Sequence, residues 1–182
     1  MKVIGVVGLP ASGKGEFARV VADQGIPVIV MGDMIRREVA KENLPPTDTN
    51  MGAVANRLRA DHGMDAIARL CIPVIRGQAV PVVLVDGIRG DAEVRLFRQC
   101  FPDFRLVAIE TSFENRLRRL QTRGRSDDTT TAASLRARDE RELGWGLDSA
   151  LKMADYRLNN DGDLAGFSVS VIRLLDQIRG EA

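Results

Sequence analysis

A glycine-rich run near the start of the chain, GVVGLPASGKGEF (residues 5–17), most constrains what this sequence can fold into. It continues the apolar run KVIGVV, whose β-branched residues are typical of a buried strand. After Lys14, the apolar residues Phe17, Val20 and Val21 recur at helical spacing. A strand, a glycine-rich loop with a lysine, and a helix in this order predict a loop that binds phosphate groups through its backbone N–H groups.

The loop departs at one position from the usual phosphate-binding pattern, G-x-x-x-x-G-K-[ST]. Gly15 stands where a serine or threonine hydroxyl normally contacts Mg²⁺. We expect the loop to hold the phosphates of a nucleotide and Lys14 to neutralise their β and γ oxygens. The predicted contacts are Gly8, Leu9, Pro10, Ala11, Ser12, Gly13, Lys14 and Gly15. The alternative, a glycine-rich turn with a surface lysine, is disfavoured by the strand and helix on either side.

Strand-like and helix-like segments alternate along the whole chain. The other apolar strand patterns are IPVIVM, VPVVLVDG, FRLVAIE and the start of YRLNNDGD, and helical patterns lie between them. This alternation predicts a single α/β domain over residues 1–182, with a parallel sheet covered on both faces. The last helical pattern places Leu164, Phe167, Val171, Leu174, Leu175 and Ile178 on one buried face.

Composition excludes several classes of protein. The 182 residues carry a net charge of only +1, so no basic field points to nucleic acid or to an anionic membrane. No apolar run approaches the length of a membrane span, and MKVIGVVGLP is too short for a signal peptide. Cys71 and Cys100 lack metal-ligand spacing and indicate thiols in a reducing compartment. We therefore expect a cytoplasmic protein that acts on small molecules.

Two further segments carry acidic and basic residues where a ligand of an α/β sheet would lie. Asp33 and Arg36, in MGDMIRREV, lie one turn apart at a helix start. They either form part of an anion-binding site or are a helix-capping aspartate and a solvated arginine. Asp86 ends the apolar strand VVLVD, and Arg89 follows it. A carboxylate at the carboxyl end of a central strand can hold Mg²⁺ through a water molecule.

An arginine-rich segment, FENRLRRLQTRGRSDDTTTAASLRARDERELG, follows the fourth strand pattern. Arg116, Arg118 and Arg119 fit either a solvated helix face or a site. Arg125, together with Arg136 or Arg138, is a candidate to stabilise charge on a transferring phosphoryl group. Asp127 and Asp128 are expected to orient these arginines rather than bind metal.

Several of these motifs resemble adenylate kinases and related nucleoside-monophosphate kinases. The run G-x-P-x-S-G-K-G resembles their phosphate loop, in which glycine commonly follows the lysine and Mg²⁺ is held largely through water. MGDMIRREV resembles their Gly-Asp-x-Leu-Arg element, whose arginine, here Arg36, grips the acceptor phosphate. DGIR resembles their Asp-Gly-x-Pro-Arg, although Arg89 comes one residue early and the proline is absent. GRSDD followed by Arg136 resembles the arginine pattern of their lid.

The segment ADYRLNNDGDL resembles the closing strand and turn of dephospho-coenzyme-A kinases. The resemblance implies that the backbone of this turn, around Asn160, abuts the adenine, and it aligns Asp33 with the acceptor-side aspartate of those enzymes. Over its whole length the chain is similar to an archaeal family related to adenylate kinases, through SDD, RDERELGWG and DGIR. This implies a three-layer P-loop kinase fold with strand order 2-3-1-4-5, acceptor-binding helices over about 32–76 and a short helical lid over about 116–143.

The resemblance implies ATP-dependent, Mg²⁺-dependent phosphoryl transfer to a nucleotide-type acceptor. Lys14 and the loop would hold the donor, and Arg36, Arg89 and Asp33 the acceptor. One alternative is transfer to a ribose hydroxyl, as in dephospho-coenzyme-A kinases, which requires a general base, for which Asp33 is the candidate. Another is an ATP-binding switch or assembly factor with weak ATPase activity. These alternatives stay open from the sequence.

Overall fold

The computed structural model describes residues 1–123 and 131–181, and its centre is a sheet of five parallel strands. The strands are β1 (Lys2–Val7), β2 (Val28–Val30), β3 (Val82–Asp86), β4 (Phe104–Glu110) and β5 (Tyr156–Asn159). Their order is β2-β3-β1-β4-β5, which confirms the expected topology. Arg125, Asp127 and Asp128 of the predicted lid lie outside the described residues.

Helices cover both faces of the sheet. They are α1 (Lys14–Asp23), α2 (Met31–Lys41), α3 (Asp48–His62), α4 (Ala66–Arg76), α5 (Asp91–Cys100), α6 (Phe113–Arg123), α7 (Ala132–Gly144), α8 (Leu147–Lys152) and α9 (Leu164–Gly180). Within the described part of the chain, no helix has both the length and the apolar character that crossing a membrane requires.

The sheet separates two hydrophobic cores because the side chains of a strand alternate between its faces. In β1, Ile4 and Val6 pack with apolar residues of α1 and α9. Val3 and Val7 pack on the other face with residues from α2, α3, α4, α5 and α8. All four of these β1 side chains are fully buried, as expected for the central strand of a parallel sheet.

The expected core face of α9 is wrong at its first residue. Leu164 is 59 % exposed, whereas Phe167, Val171 and Ile178 are buried. The helix begins at Leu164 immediately after its N-cap, Asp163, whose side chain accepts a hydrogen bond from the N–H of Gly166. Leu164 therefore lies at the open end of the helix, outside the contact with the sheet.

The parallel sheet brings three separate segments to one edge. The carboxyl ends of β1, β2 and β3 are followed by the glycine-rich loop, the start of α2 and the segment from Gly87 to Gly90. Register pairs Val6 with Asp86 across β1 and β3, so Asp86 ends its strand beside the start of the loop. This is the edge at which open α/β sheets bind ligands.

Candidate nucleotide and acceptor site

Two glycines of the loop stand where no side chain fits. Gly13 has φ 109°, and a Cβ there would lie 2.0 Å from Asn160 Nδ2. A Cβ at Gly8 would lie 2.8 Å from the carbonyl oxygen of Ile109. The loop therefore runs close to the ends of β4 and β5, and α1 begins directly after it at Lys14. The first N–H groups of α1 provide the kind of helix N-terminus that binds anions.

Side chains from three other segments hold the loop at the carbonyl oxygen of Ser12. Thr111 Oγ1 donates to it at 2.8 Å, Asn160 Nδ2 at 2.8 Å and Arg119 Nη1 at 3.3 Å. Arg119 also donates to the carbonyl oxygen of Asn160 at 2.5 Å. Asn160 thus reaches the loop, as its assignment to the nucleotide site requires, and Arg119 contacts the loop rather than lying on a solvated helix face.

A cavity of about 300 Å³ opens between the β5–α9 turn and the first turns of α9. It is lined by Asn159, Asn160, Gly162, Asp163, Gly166, Phe167 and Ser170. Its size is at the lower end of the range for small-molecule pockets. The cavity borders Asn160 and the turn whose backbone, by the resemblance to dephospho-coenzyme-A kinases, is expected to abut the adenine.

Charged groups converge on Lys14. Its ammonium donates to the carbonyl oxygens of Gly8 at 2.5 Å and Leu9 at 3.0 Å. Burial away from water lowers the pKa of Lys14 to about 8. The positive charge of Arg89 also lowers this pKa, whereas the carboxylates of Glu142 and Asp86 raise it. The lysine is thus a cation at neutral pH, and it can exchange its carbonyl partners for phosphate oxygens.

Asp86 carries an unsatisfied oxygen at the end of β3. Its Oδ1 is buried and has no hydrogen-bond partner among the residues that the structure describes. Desolvation raises the pKa of Asp86, against the opposing charges of Lys14 and Arg89. A buried carboxylate oxygen without a partner suits a water molecule bound to Mg²⁺.

The described residues hold no group of three or more side chains able to bind a metal ion. A Cβ added at Gly15 would meet no atom within 4 Å. Steric crowding therefore does not explain why glycine, rather than serine or threonine, follows Lys14. The donor set thus fits a Mg²⁺ held mainly by water and phosphate oxygens, with Asp86 in the outer shell.

Arg89 is held by a carboxylate that the sequence did not reveal. Its Nη1 lies 2.5 Å from Oε1 of Glu142 on α7, a residue only 2 % exposed. The Nε of Arg138, one turn earlier on α7, lies 3.4 Å from the same oxygen. Helix α7 therefore contacts the loop after β3. The only sequence signal for this contact was the spacing of Asp139 and Glu142 in RDERELG, three positions apart and so on one side of a helix.

Arg116 is one of the most buried charged residues of the site. It is 3 % exposed, pairs with both oxygens of Asp139 on α7 at 2.8 and 2.7 Å, and donates to the carbonyl oxygen of Pro10 at 3.1 Å. Arg118, by contrast, is exposed and donates to Asn115. The solvated-face interpretation is wrong for Arg116 and confirmed for Arg118.

The other predicted residues contact different groups. Asp33 and Arg36 pair with each other on α2, and both side chains are about half exposed. The guanidinium of Arg136 lies 4.9 Å from the centre of the Phe113 ring. Of the two arginines considered for the lid, the structure thus brings Arg138 into contact with the group around Lys14 and Arg89, and places Arg136 on an aromatic ring.

Comparisons with known proteins agree with this geometry. Residues 7–136 match a sequence family described as an AAA domain. A shikimate kinase from Bacteroides thetaiotaomicron has a similar structure, with a TM-score of 0.68 over 98 % of both chains at 15 % identity. At that identity the likeness establishes a P-loop kinase-like fold.

Sequence relatives cover the whole chain. A UPF0200 protein of Methanoregula boonei is 62 % identical over 181 residues, covering 100 % of both chains. A second, from Methanoculleus marisnigri, is 59 % identical over 99 % of this chain and 98 % of its own. The chain, with its phosphate loop and kinase-like fold, belongs to the archaeal UPF0200 family.

Proposed function

We propose that this protein transfers the γ-phosphoryl group of ATP, with Mg²⁺, to a nucleotide-type acceptor. The observation that carries the proposal is the grouping of Lys14, Asp86 and Arg89 at the carboxyl edge of the sheet. A loop lysine for the donor phosphates, a buried acid for the metal and an arginine for charge on the acceptor side are what phosphoryl transfer requires.

The donor side follows from the loop. Backbone N–H groups of the loop and of the first turn of α1, together with the ammonium of Lys14, would hold the phosphates of ATP, with the adenine in the cavity beside Asn160. Bound Mg²⁺ would neutralise charge on the phosphates, and Asp86 would orient its water ligands. Arg119 hydrogen-bonds both to the loop and to the turn at Asn160, and so fixes the phosphate-binding and adenine-binding parts of the donor site relative to each other.

The acceptor side and the lid are supported by charge and placement. Arg36 and Arg89 are each partly exposed and available to an anionic acceptor, with Asp33 beside Arg36. Arg138, together with Arg125, would stabilise the charge that develops on the transferring phosphoryl group. An arginine in that role increases the rate about 10³- to 10⁵-fold in related chemistry.

Transfer to a hydroxyl is the second candidate, and it depends on Asp33. A hydroxyl acceptor needs a base to take its proton, and the Asp33 carboxylate, 49 % exposed, is open to one. Its pairing with Arg36 weighs against this role, because a base must be free to accept the proton. Asp33→Asn should abolish transfer to a hydroxyl but only weaken transfer to a phosphate.

A coupled assay of ADP formation over a panel of nucleoside monophosphates and dephospho-coenzyme A tests the function. The proposal expects one acceptor class to accelerate ATP consumption and to yield a phosphorylated product. A slow ATPase that no acceptor accelerates would favour the ATP-binding switch instead.

Two arginines of α7 offer a matched test of the lid. We expect Arg138→Ala to lower single-turnover transfer by orders of magnitude while changing ATP affinity modestly, because its contact with the phosphoryl group matures in the transition state. Arg136→Ala, which removes a guanidinium from the Phe113 ring, should change the rate far less. Equal effects of the two variants would contradict the assignment of Arg138.

A further inference from the structure

The ion pair between Arg89 and Glu142 places one of the protein's own carboxylates on the arginine assigned to the acceptor. The Glu142 side chain is 3 % exposed, whereas that of Arg89 is 36 % exposed. A ligand can therefore approach Arg89 from solvent, but it cannot approach Glu142. Any anion that binds Arg89 through the same N–H groups has to compete with this carboxylate.

Glu142 can release Arg89 without becoming an unpaired buried charge. Breaking a buried ion pair is costly chiefly because the remaining charge loses its compensation. Glu142 retains Arg138, whose Nε lies 3.4 Å from the same oxygen. It also faces Lys14, whose ammonium it stabilises more than any other charged group does. The pair with Arg89 is thus exchangeable.

We propose that Glu142 determines the specificity of the acceptor site, because its carboxylate competes with the ligand for Arg89. A phosphate dianion displaces this carboxylate from Arg89, whereas a carboxylate monoanion does not. A carboxylate ligand offers Arg89 the same charge and the same two oxygens as Glu142, which is tethered in place at high effective concentration. A phosphate monoester carries about −1.5 to −2 charges and three acceptor oxygens. The inference rests on the proposed function only in taking Arg89 as the acceptor arginine.

The only tryptophan of the chain can report on this exchange. The centre of the Trp145 ring lies 6.0 Å from the guanidinium carbon of Arg89. Fluorescence titrations with methyl phosphate and with acetate, at constant ionic strength and at a pH where methyl phosphate is a dianion, compare the two anions. Calorimetric titrations of the same samples give the affinities independently of Trp145.

We expect the wild-type protein to bind methyl phosphate more tightly than acetate. Glu142→Gln should tighten the binding of both anions, and that of acetate more. The ratio of the acetate Kd to the methyl phosphate Kd should therefore fall, by a factor within the roughly 5- to 150-fold range that is typical of coupling between sites. Glu140→Gln, an exposed site on the same helix, should leave the ratio unchanged. Arg89→Ala should weaken the binding of both anions and abolish the effect of Glu142→Gln on their ratio, and any remaining binding of methyl phosphate then belongs to the phosphate loop.

A weaker affinity for methyl phosphate in Glu142→Gln, or an unchanged ratio, would overturn the proposal. If Glu142→Gln does not fold, Glu142→Asp keeps the charge but withdraws it by one methylene, and should shift the ratio in the same direction by less. No shift there would equally overturn the proposal. ATP binding measured on the wild-type protein and on Arg89→Ala, which both keep Glu142, tests the donor site separately, so failure of the proposed function would be distinguishable from failure of this inference.

Discussion

Replacing Asp139 by alanine would leave the guanidinium of Arg116 buried without its carboxylate. The side chains of the pair are 4 % and 13 % exposed, and both oxygens of Asp139 accept hydrogen bonds from Arg116. Removing one partner of a buried ion pair costs about 3–5 kcal/mol of unfolding free energy. For a chain of this length that corresponds to a fall in Tm of roughly 6–20 °C.

Urea unfolding of three variants checks this value. Asp148→Ala is the control, because it breaks an exposed pair with Lys152 of the kind that contributes little to stability. The double variant Arg116→Met, Asp139→Leu should recover most of the loss, since an apolar pair of similar volume can replace a buried ion pair. If Asp139→Ala costs no more than Asp148→Ala, the reasoning about Arg116 is wrong.

Three further predictions concern the nucleotide site. Asp86→Asn should raise the Mg²⁺ concentration needed for turnover by about 10- to 100-fold, as loss of an outer-shell ligand does elsewhere, and a metal titration of activity would measure it. ATP affinity should fall as the pH rises through about 8, where unliganded Lys14 loses its proton, whereas a Lys14→Arg variant should show no such fall. Gly15→Ala should stabilise the protein by about 0.5–1 kcal/mol, because the position is helical and open. Gly13→Ala should destabilise it, and thermal unfolding of both variants checks the contrast.

The parts of the site that were predictable are local in the chain. The glycine-rich loop, Lys14 and the preceding strand are contiguous, and Asp86 ends a strand that its apolar residues make plain. The rule that parallel strands end at one edge then brings Asp86 to the loop without knowledge of the contacts between them.

The contacts of α7 could not be predicted in the same way. Glu142 is 53 positions from Arg89 in the sequence, and Asp139 is 23 positions from Arg116. Which arginine each acid meets depends on how α7 lies over the loop, and no periodicity encodes that. The helix α8 gives no clear signal in the sequence either, because six residues are too few to establish a helical pattern.

The central claim is that the loop around Lys14 binds and activates the phosphates of ATP, and Lys14→Ala tests it most directly. The ammonium is desolvated and bonds only loop carbonyls among the described residues, so its loss should leave the fold intact by circular dichroism and thermal unfolding. ATP turnover should then fall below detection. A folded Lys14→Ala protein that keeps both its ATP affinity and its turnover would contradict the account.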